Sequence, residues 1–170
     1  MSRGGPLALS YIALGSNLAG RFADPAAAVE AAMRTLERSD IKVIARSRLY
    51  RSIAWPDPAD PEFINAVAAI QTDLPPADLL DRLHATEAEF GRVRRFPNAP
   101  RPLDLDIIDY DGLTSAPGAA PILPHPRMAD RAFVLLPLAE IAPDWRHPMT
   151  GAGIADLVRA LPDPTGVTPL

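Results

Sequence analysis

The sequence predicts an α+β fold in which helices cover one face of a largely antiparallel sheet, and three observations carry that prediction. Period-two and period-3.6 apolar patterns follow one another in the order strand, helix, strand, strand, helix, strand. Capping and turn residues mark the junctions. Helical patterns then follow the last strand, which appends helices to a finished sheet.

"LALSYIALG", residues 7–15, is an apolar run of β-formers that stops at Gly15, and "GSNLAGRFADP" after it is a loop. The run is short, follows a single Arg3 and lacks a small-residue cleavage site, so it is a strand and not a signal peptide. In residues 24–40, Asp24 is placed to cap a helix, Pro25 takes its first position, and Val29, Met33 and Leu36 recur on one face. "IKVIARSRLYRS" (41–52) alternates through Ile41, Val43 and Ala45, and "EFINAVAAIQTD" (62–73) is rich in β-formers and free of proline. Both are predicted strands, joined by the proline-rich "IAWPDPADP" (53–61). Residues 75–91 carry Leu79, Leu80, Leu83 and Phe90 at helical spacing and stop at Gly91. "PLDLDIIDYDG" (102–112) is a strand closed by an Asp-Gly turn. A helix is expected from about Met128, bent or divided at Pro137, and a short one within 153–161. Residues 162–170 have nothing to bury and are expected to be a loose tail. The order is that of a ferredoxin-like split βαββαβ sandwich with appended C-terminal helices, one domain over 1–170.

With 48% hydrophobic and 22% charged residues among 170, the chain can bury a real core but is short for two domains. A net charge of −4 argues against nucleic acid as the main partner, because phosphate backbones require a positive face. The absence of cysteine excludes disulfides, thiolate metal sites and a cysteine nucleophile, and fits a cytoplasmic location. No run approaches the roughly 18 apolar residues of a membrane span. The expectation is a monomer acting on small molecules, with no nucleic-acid or membrane partner.

Side chains two apart on a strand share a face, so Asp104 and Asp106 project together while Leu103, Leu105 and Ile107 fill the other side. Paired carboxylates can share hard cations, and magnesium is commonly held by one or two carboxylates together with substrate phosphates. A D-x-D alone equally describes an alternating strand with one wet face. Its neighbours change the balance. Arg92, Arg94, Arg95 and Arg101 fall close together in an otherwise acidic chain, and guanidinium forks match phosphate oxygens. Sixteen arginines against one lysine also allow a reading as solvated surface charge. Neither a G-x-x-x-x-G-K-[ST] loop nor a G-x-G-x-x-G turn occurs, so a nucleotide must be held in another way. Asn65, inside an apolar strand, needs a ligand or a buried network, because an unpartnered buried amide is costly.

Through "YIALGSNL", "LYRS", "FINAV", "TEAEFGRVR", "APRPLDLDII" and "LPHPRMADRAFVLLPLAEIAP", in that order, the chain resembles the 6-hydroxymethyl-7,8-dihydropterin pyrophosphokinase family of folate biosynthesis. The resemblance covers roughly residues 8 to 145, and the pairing of APR-x-LDLD with LPHPR-x4-RAF is its most specific part. It implies transfer of the β,γ-pyrophosphoryl group of ATP to the pterin hydroxymethyl, with two magnesium ions on Asp104 and Asp106 and with Arg92 and Arg101 at the transferred group. It implies a pterin ring between Phe63 and Phe133, its polar edge read by Asn65 and the backbone of Ser52, Ile53 and Ala54; Trp55, in the proline-rich 53–61 connection, is expected to be a mobile lid over that ring. It places Glu87, Arg94, Ile107, His125 and Arg131 along the ATP site, and Leu80 and His84 on the helix beside the adenine. A flat heterocycle gains from two ring faces, and its fixed donor and acceptor pattern needs an amide or backbone partner.

The chain departs from the family in several places. The tryptophan before the APR motif is missing, with Phe96 the nearest aromatic in a loop one residue shorter than in some members. Pro102 replaces a common threonine, Pro126 stands where some members have tyrosine, and Ala120 and Ile122 stand where some have arginine and threonine. Two other functions use parts of the same residue set. A pterin or nucleotide binding module without catalysis would not need the complete Asp and Arg set. A metal-dependent phosphohydrolase would not need a flat-ring pocket.

Overall fold

Asp24 caps the first helix as its position requires, its Oδ1 accepting the Ala27 amide at 2.8 Å. The computed structural model describes residues 5–38, 40–93 and 96–170. Its elements run β1 (Ala8–Ser16), α1 (Pro25–Leu36), β2 (Ile41–Arg46), β3 (Tyr50–Ser52), β4 (Phe63–Thr72), α2 (Pro76–Glu89) and β5 (Asp104–Tyr110). A single 3-10 turn (Met128–Asp130), α3 (Ala132–Ile141), α4 (Ile154–Ala160) and β6 (Val167–Pro169) follow. The sheet order is β5-β1-β4-β3-β6, with β2 also paired to β4, and every pairing is antiparallel. The ferredoxin-like strand and helix order is therefore present.

Helices lie on both faces of this sheet rather than on one, because the appended α3 and α4 cover the second face. Val29 and Leu36 of α1 and Leu79 and Leu83 of α2 pack with Ile12, Leu14, Ile70 and Leu105 on one side. Leu135 and Leu138 of α3 and Ile154 of α4 pack with Val67, Ile108 and Trp145 on the other. β4, between two layers, is buried along most of its length, which explains why its sequence is apolar without alternation.

Four expectations about elements are corrected. The first helix ends at Leu36 rather than near residue 40. The predicted strand 41–52 is two strands: Arg46 faces Ala68 and Tyr50 faces Asn65, so four steps on one side meet three on the other. Ser47 bridges the break, its N–H donating to the Val67 carbonyl at 2.9 Å and its Oγ accepting the Val67 N–H at 3.0 Å. Glu140 of α3 pins the far side, accepting the Arg48 N–H at 2.9 Å and the Tyr50 hydroxyl at 2.7 Å. Pro137 does not divide α3, since the helix runs from Ala132 through Ile141 with the proline buried. Residues 162–170 are not a loose tail. Val167–Pro169 pair with β3, and the Leu170 N–H donates to the Leu49 carbonyl at 2.9 Å. The gain there is backbone hydrogen bonding to an open strand edge, which apolar periodicity does not signal.

Candidate active site

Register across three strands builds the floor of the site. Asp104 of β5 lies opposite Gly15 of β1, which in turn lies opposite Asn65 of β4. Residues directly opposite share a face, so the carboxylate and the amide stand on either side of a glycine. A Cβ at Gly15 would come within 3.3 Å of Asn65 Oδ1 and 3.8 Å of Phe63 Cδ1, so the missing side chain keeps a gap open. Asn65 is 4% exposed and its Nδ2 donates to Ser52 Oγ at 2.8 Å. That bond fixes the amide orientation and leaves Oδ1 toward Gly15. Asp106, opposite Ala13, projects to the same side, while Leu105 is buried behind it.

The charges are tightly coupled. Arg92 Nη1 donates to Asp104 Oδ1 at 2.5 Å and to Glu87 Oε1 at 2.6 Å, and Arg101 Nη2 lies 3.0 Å from Asp104 Oδ2. Glu87, 3% exposed, also accepts the Leu105 N–H at 2.8 Å, so it ties α2 to β5 and aims Arg92. Burial works against the charge on Arg92, but the carboxylates of Asp104 and Glu87 outweigh it and raise its pKa. Burial, and then the Asp104 charge, push Asp106 up to about 6; Arg131, Arg92 and Arg101 offset this only in part. Burial followed by Arg131 lowers His125 to about 4, which makes it a neutral imidazole at neutral pH.

Arg101 is held by its backbone. Asn17 Oδ1 accepts its N–H at 2.8 Å, and the Asn17 and Leu18 amides donate to its carbonyl at 3.2 and 3.3 Å. Asn17 Nδ2 also donates to the Pro61 carbonyl at 3.2 Å, which joins the bases of both proline-rich loops. The Arg101 guanidinium sits 5.3 Å over the Phe63 ring, and its buried Nε has no hydrogen-bond partner among the described residues. An orphaned buried donor of a cation is a place for an anionic acceptor.

Two cavities meet at these charges. One, of about 410 Å³, is walled by Ser52, Ile53, Trp55, Phe63, Asn65 and Phe133 among others. The second, of about 610 Å³, is lined by Arg92, Val93, Phe96, Pro97, His125 and Pro126 with neighbours. Asn98, Arg101, Asp104, Asp106, Arg127 and Arg131 line both. The structure thus brings together most of the residues singled out in the sequence. Ala54 is buried beside the first cavity without lining it, and Glu87, which lines neither cavity, is joined to the site through Arg92 and Leu105. Leu80 packs against the α1/α2 core, His84 is on the exposed side of α2, and Ile107 is buried in the core; none of them lines either cavity. Arg94 lies outside the described residues.

Gly15, Asn17 and Arg127 were not singled out by sequence reasoning. Arg127 lies in the "LPHPR" string and places its guanidinium 5.3 Å from the Trp55 ring. Asn17 lies in "GSN", where a loop asparagine gives no sign of the two backbones it joins.

Among the described residues no group of three or more acidic or histidine side chains could hold a metal, so a cation here has two carboxylates at most. Asp106 accepts no hydrogen bond among the described residues, and Asp104 is engaged only by arginines that could turn to phosphate. The donor set fits a hard cation that takes its other oxygens from phosphate and water, as magnesium does.

The family model described as 7,8-dihydro-6-hydroxymethylpterin-pyrophosphokinase (HPPK) matches residues 11–143. A curated 2-amino-4-hydroxy-6-hydroxymethyldihydropteridine pyrophosphokinase of Pseudomonas aeruginosa is 44% identical over 154 residues, which cover 89% of this chain and 91% of that protein. One of the same name from Methylorubrum extorquens is 40% identical over 158 residues, covering 93% and 96%. In fold, the chain is similar to the crystal structure of a triple mutant of Plasmodium falciparum HPPK-DHPS, with a TM-score of 0.69 at 13% identity over 93% of this chain. It spans 45% of that longer chain. The matched stretch contains Gly15, Asn65, Arg92, Arg101, Asp104, Asp106 and Phe133, the centre of the site just described, and the chain belongs to the 7,8-dihydro-6-hydroxymethylpterin-pyrophosphokinase family.

Proposed function

We propose that the protein transfers the β,γ-pyrophosphoryl group of ATP to the hydroxymethyl group of 6-hydroxymethyl-7,8-dihydropterin, giving AMP and the pterin diphosphate, as a step of folate biosynthesis. The supporting observation is the meeting of a ring-lined and an arginine-lined cavity at Asp104 and Asp106. A reaction between a flat heterocycle and a polyphosphate needs that junction and little else.

In this reading Phe63 and Phe133 hold the ring, and Asn65 Oδ1 with the Ser52–Ala54 backbone reads its polar edge. The hydroxymethyl oxygen forms a bond to the β-phosphorus, the bond from that phosphorus to the α,β-bridging oxygen breaks, and AMP leaves with that oxygen. The hydroxyl proton passes to solvent, so the scheme requires no side-chain base. Arg92 and Arg101 follow the charge of the moving group, with Glu87 orienting the first and Asn17 the second. Neutral His125 and cationic Arg131 line the nucleotide side, with Arg94, Leu80, His84 and Ile107 as further proposed contacts of that substrate. Magnesium bound at Asp104 and Asp106, two ions in this reading, would supply charge neutralisation at the phosphate oxygens. Trp55 serves as a lid over the pterin.

A cytoplasmic monomer without nucleic-acid or membrane partners completes the proposal; among the described residues no helix is long and apolar enough to cross a membrane. The test is incubation of the purified protein with 6-hydroxymethyl-7,8-dihydropterin, ATP and magnesium, with the nucleotides resolved by chromatography. AMP formed one for one with pterin diphosphate, and only with pterin present, is expected. ADP as the main product would overturn the pyrophosphokinase reading, ATP loss without pterin would mark a hydrolase, and no ATP loss a binding module.

A further inference from the structure

The family match ends at residue 143, yet the ring-lined cavity has a wall beyond it: Asp163, Gly166 and Val167. Local bonds shape this segment. Asp163 Oδ1 accepts the Thr165 N–H at 2.9 Å and its hydroxyl at 2.5 Å, and the Val167 N–H donates to the Pro164 carbonyl at 3.1 Å. The turn delivers Val167 opposite Ser52, while Phe63 stands opposite Ser52 on the other side. Gly166 lies against Ile53, where a Cβ would be 3.8 Å from Ile53 Cδ1.

We propose that residues 163–167 are a positioning element of the ring-lined cavity, holding Ser52 and Ile53 in register beside Asn65 and Phe63 and closing the outer side around a flat heterocycle. The inference rests on the reading of that cavity as the pterin site. Without β6, β3 would be a three-residue edge strand running directly into the 53–61 loop. A short edge of that kind is weakly ordered, and a ligand that needs it ordered bears the entropy at the moment of binding. Asp163, Gly166 and Val167 line the ring-side cavity, and no residue of 163–167 lines the arginine-lined one. Their influence falls on the heterocycle and not on the nucleotide.

Two variants test this: a chain ending at Pro162, and Gly166→Trp, which keeps β6 but crowds Ile53. Calorimetry would measure binding of 6-hydroxymethyl-7,8-dihydropterin in the presence of a non-hydrolysable ATP analogue with magnesium, and binding of the analogue alone. Both variants are expected to bind the pterin about tenfold more weakly, the scale of ordering one or two side chains. Affinity for the analogue should stay that of the unaltered protein. Unchanged pterin affinity in both variants overturns the inference, and so does an equal loss for both ligands, which would make the segment general support for the fold. The unaltered protein is the control. If it binds no pterin, the proposed function fails first, whereas failure confined to the variants removes only this inference.

Discussion

The strand-borne floor of the site and the two proline-rich loops around it are built by different means. On the floor, Asp104, Gly15 and Asn65 are set by antiparallel register, and the side chains of Asp104 and Asn65 are each held by a named neighbour. In the loops, Trp55 is 62% and Phe96 64% exposed, and what the loops share is their anchorage at Asn17. In the proposed reaction the carboxylates that serve the phosphate sit where the sheet fixes them. Groups that must let substrates in sit where few contacts resist movement.

The largest expected effect separates two carboxylates of the floor. Asp104→Asn and Asp106→Asn should each lower turnover by roughly 10²–10³-fold or more, the scale of losing a preorganised charge contact. Their stabilities should diverge. Asp104→Asn leaves Arg92 and Arg101 without their shared counter-charge and should lower the Tm. Asp106 bears a half-buried negative charge whose pKa is raised to about 6, so Asp106→Asn should raise the Tm of the metal-free protein at pH 7 by roughly 2–4 °C, about 1 kcal/mol. Calorimetric melting decides; a fall in Tm for Asp106→Asn would show that this carboxylate is a structural partner.

Phe63→Ala moves to the rim of the floor and should weaken pterin binding by about 1 kcal/mol or more through lost ring stacking. Unchanged affinity by titration calorimetry would return Phe63 to a packing role.

A pH series sharpens the same contrast. Unfolded His125 takes up its proton near 6.5 and the folded residue only near 4, so the unfolded chain binds more protons between these values and this group costs stability as pH falls. Asp106 acts in the opposite sense, since its folded form takes up a proton near 6 and its unfolded form near 3.8. The two oppose each other between about pH 4 and 6. His125→Gln should therefore leave a protein whose Tm rises on acidification through that window relative to the parent, and Asp106→Asn one whose Tm falls more steeply. Parallel profiles for both variants would remove the assigned burial effects.

The smallest effect is expected in the loops. Amide exchange in residues 53–61 and 96–100 should slow when pterin and a non-hydrolysable ATP analogue are added together, with little change in β4 and β5. Equal exchange in both states would make the loops static connections and erase the contrast with the floor.

By itself the sequence determined the strand and helix order, the paired faces of Asp104 and Asp106, and the buried amide of Asn65, because each follows from a local period or from the cost of burying a polar group. Family resemblance extended that reading to Phe63, Phe133, Arg92 and Arg101. Only the tertiary structure decided that Asp104 and Asn65 flank Gly15, that Glu87 aims Arg92, and that Asn17 joins two loops. The same is true of Ser47 splitting a strand and of residues 167–169 completing an edge. Apart from the Glu87–Arg92 pair, a side-chain contact five residues apart, these features depend on residues far apart in the chain brought together by backbone hydrogen bonds and register, to which side-chain periodicity carries no signal.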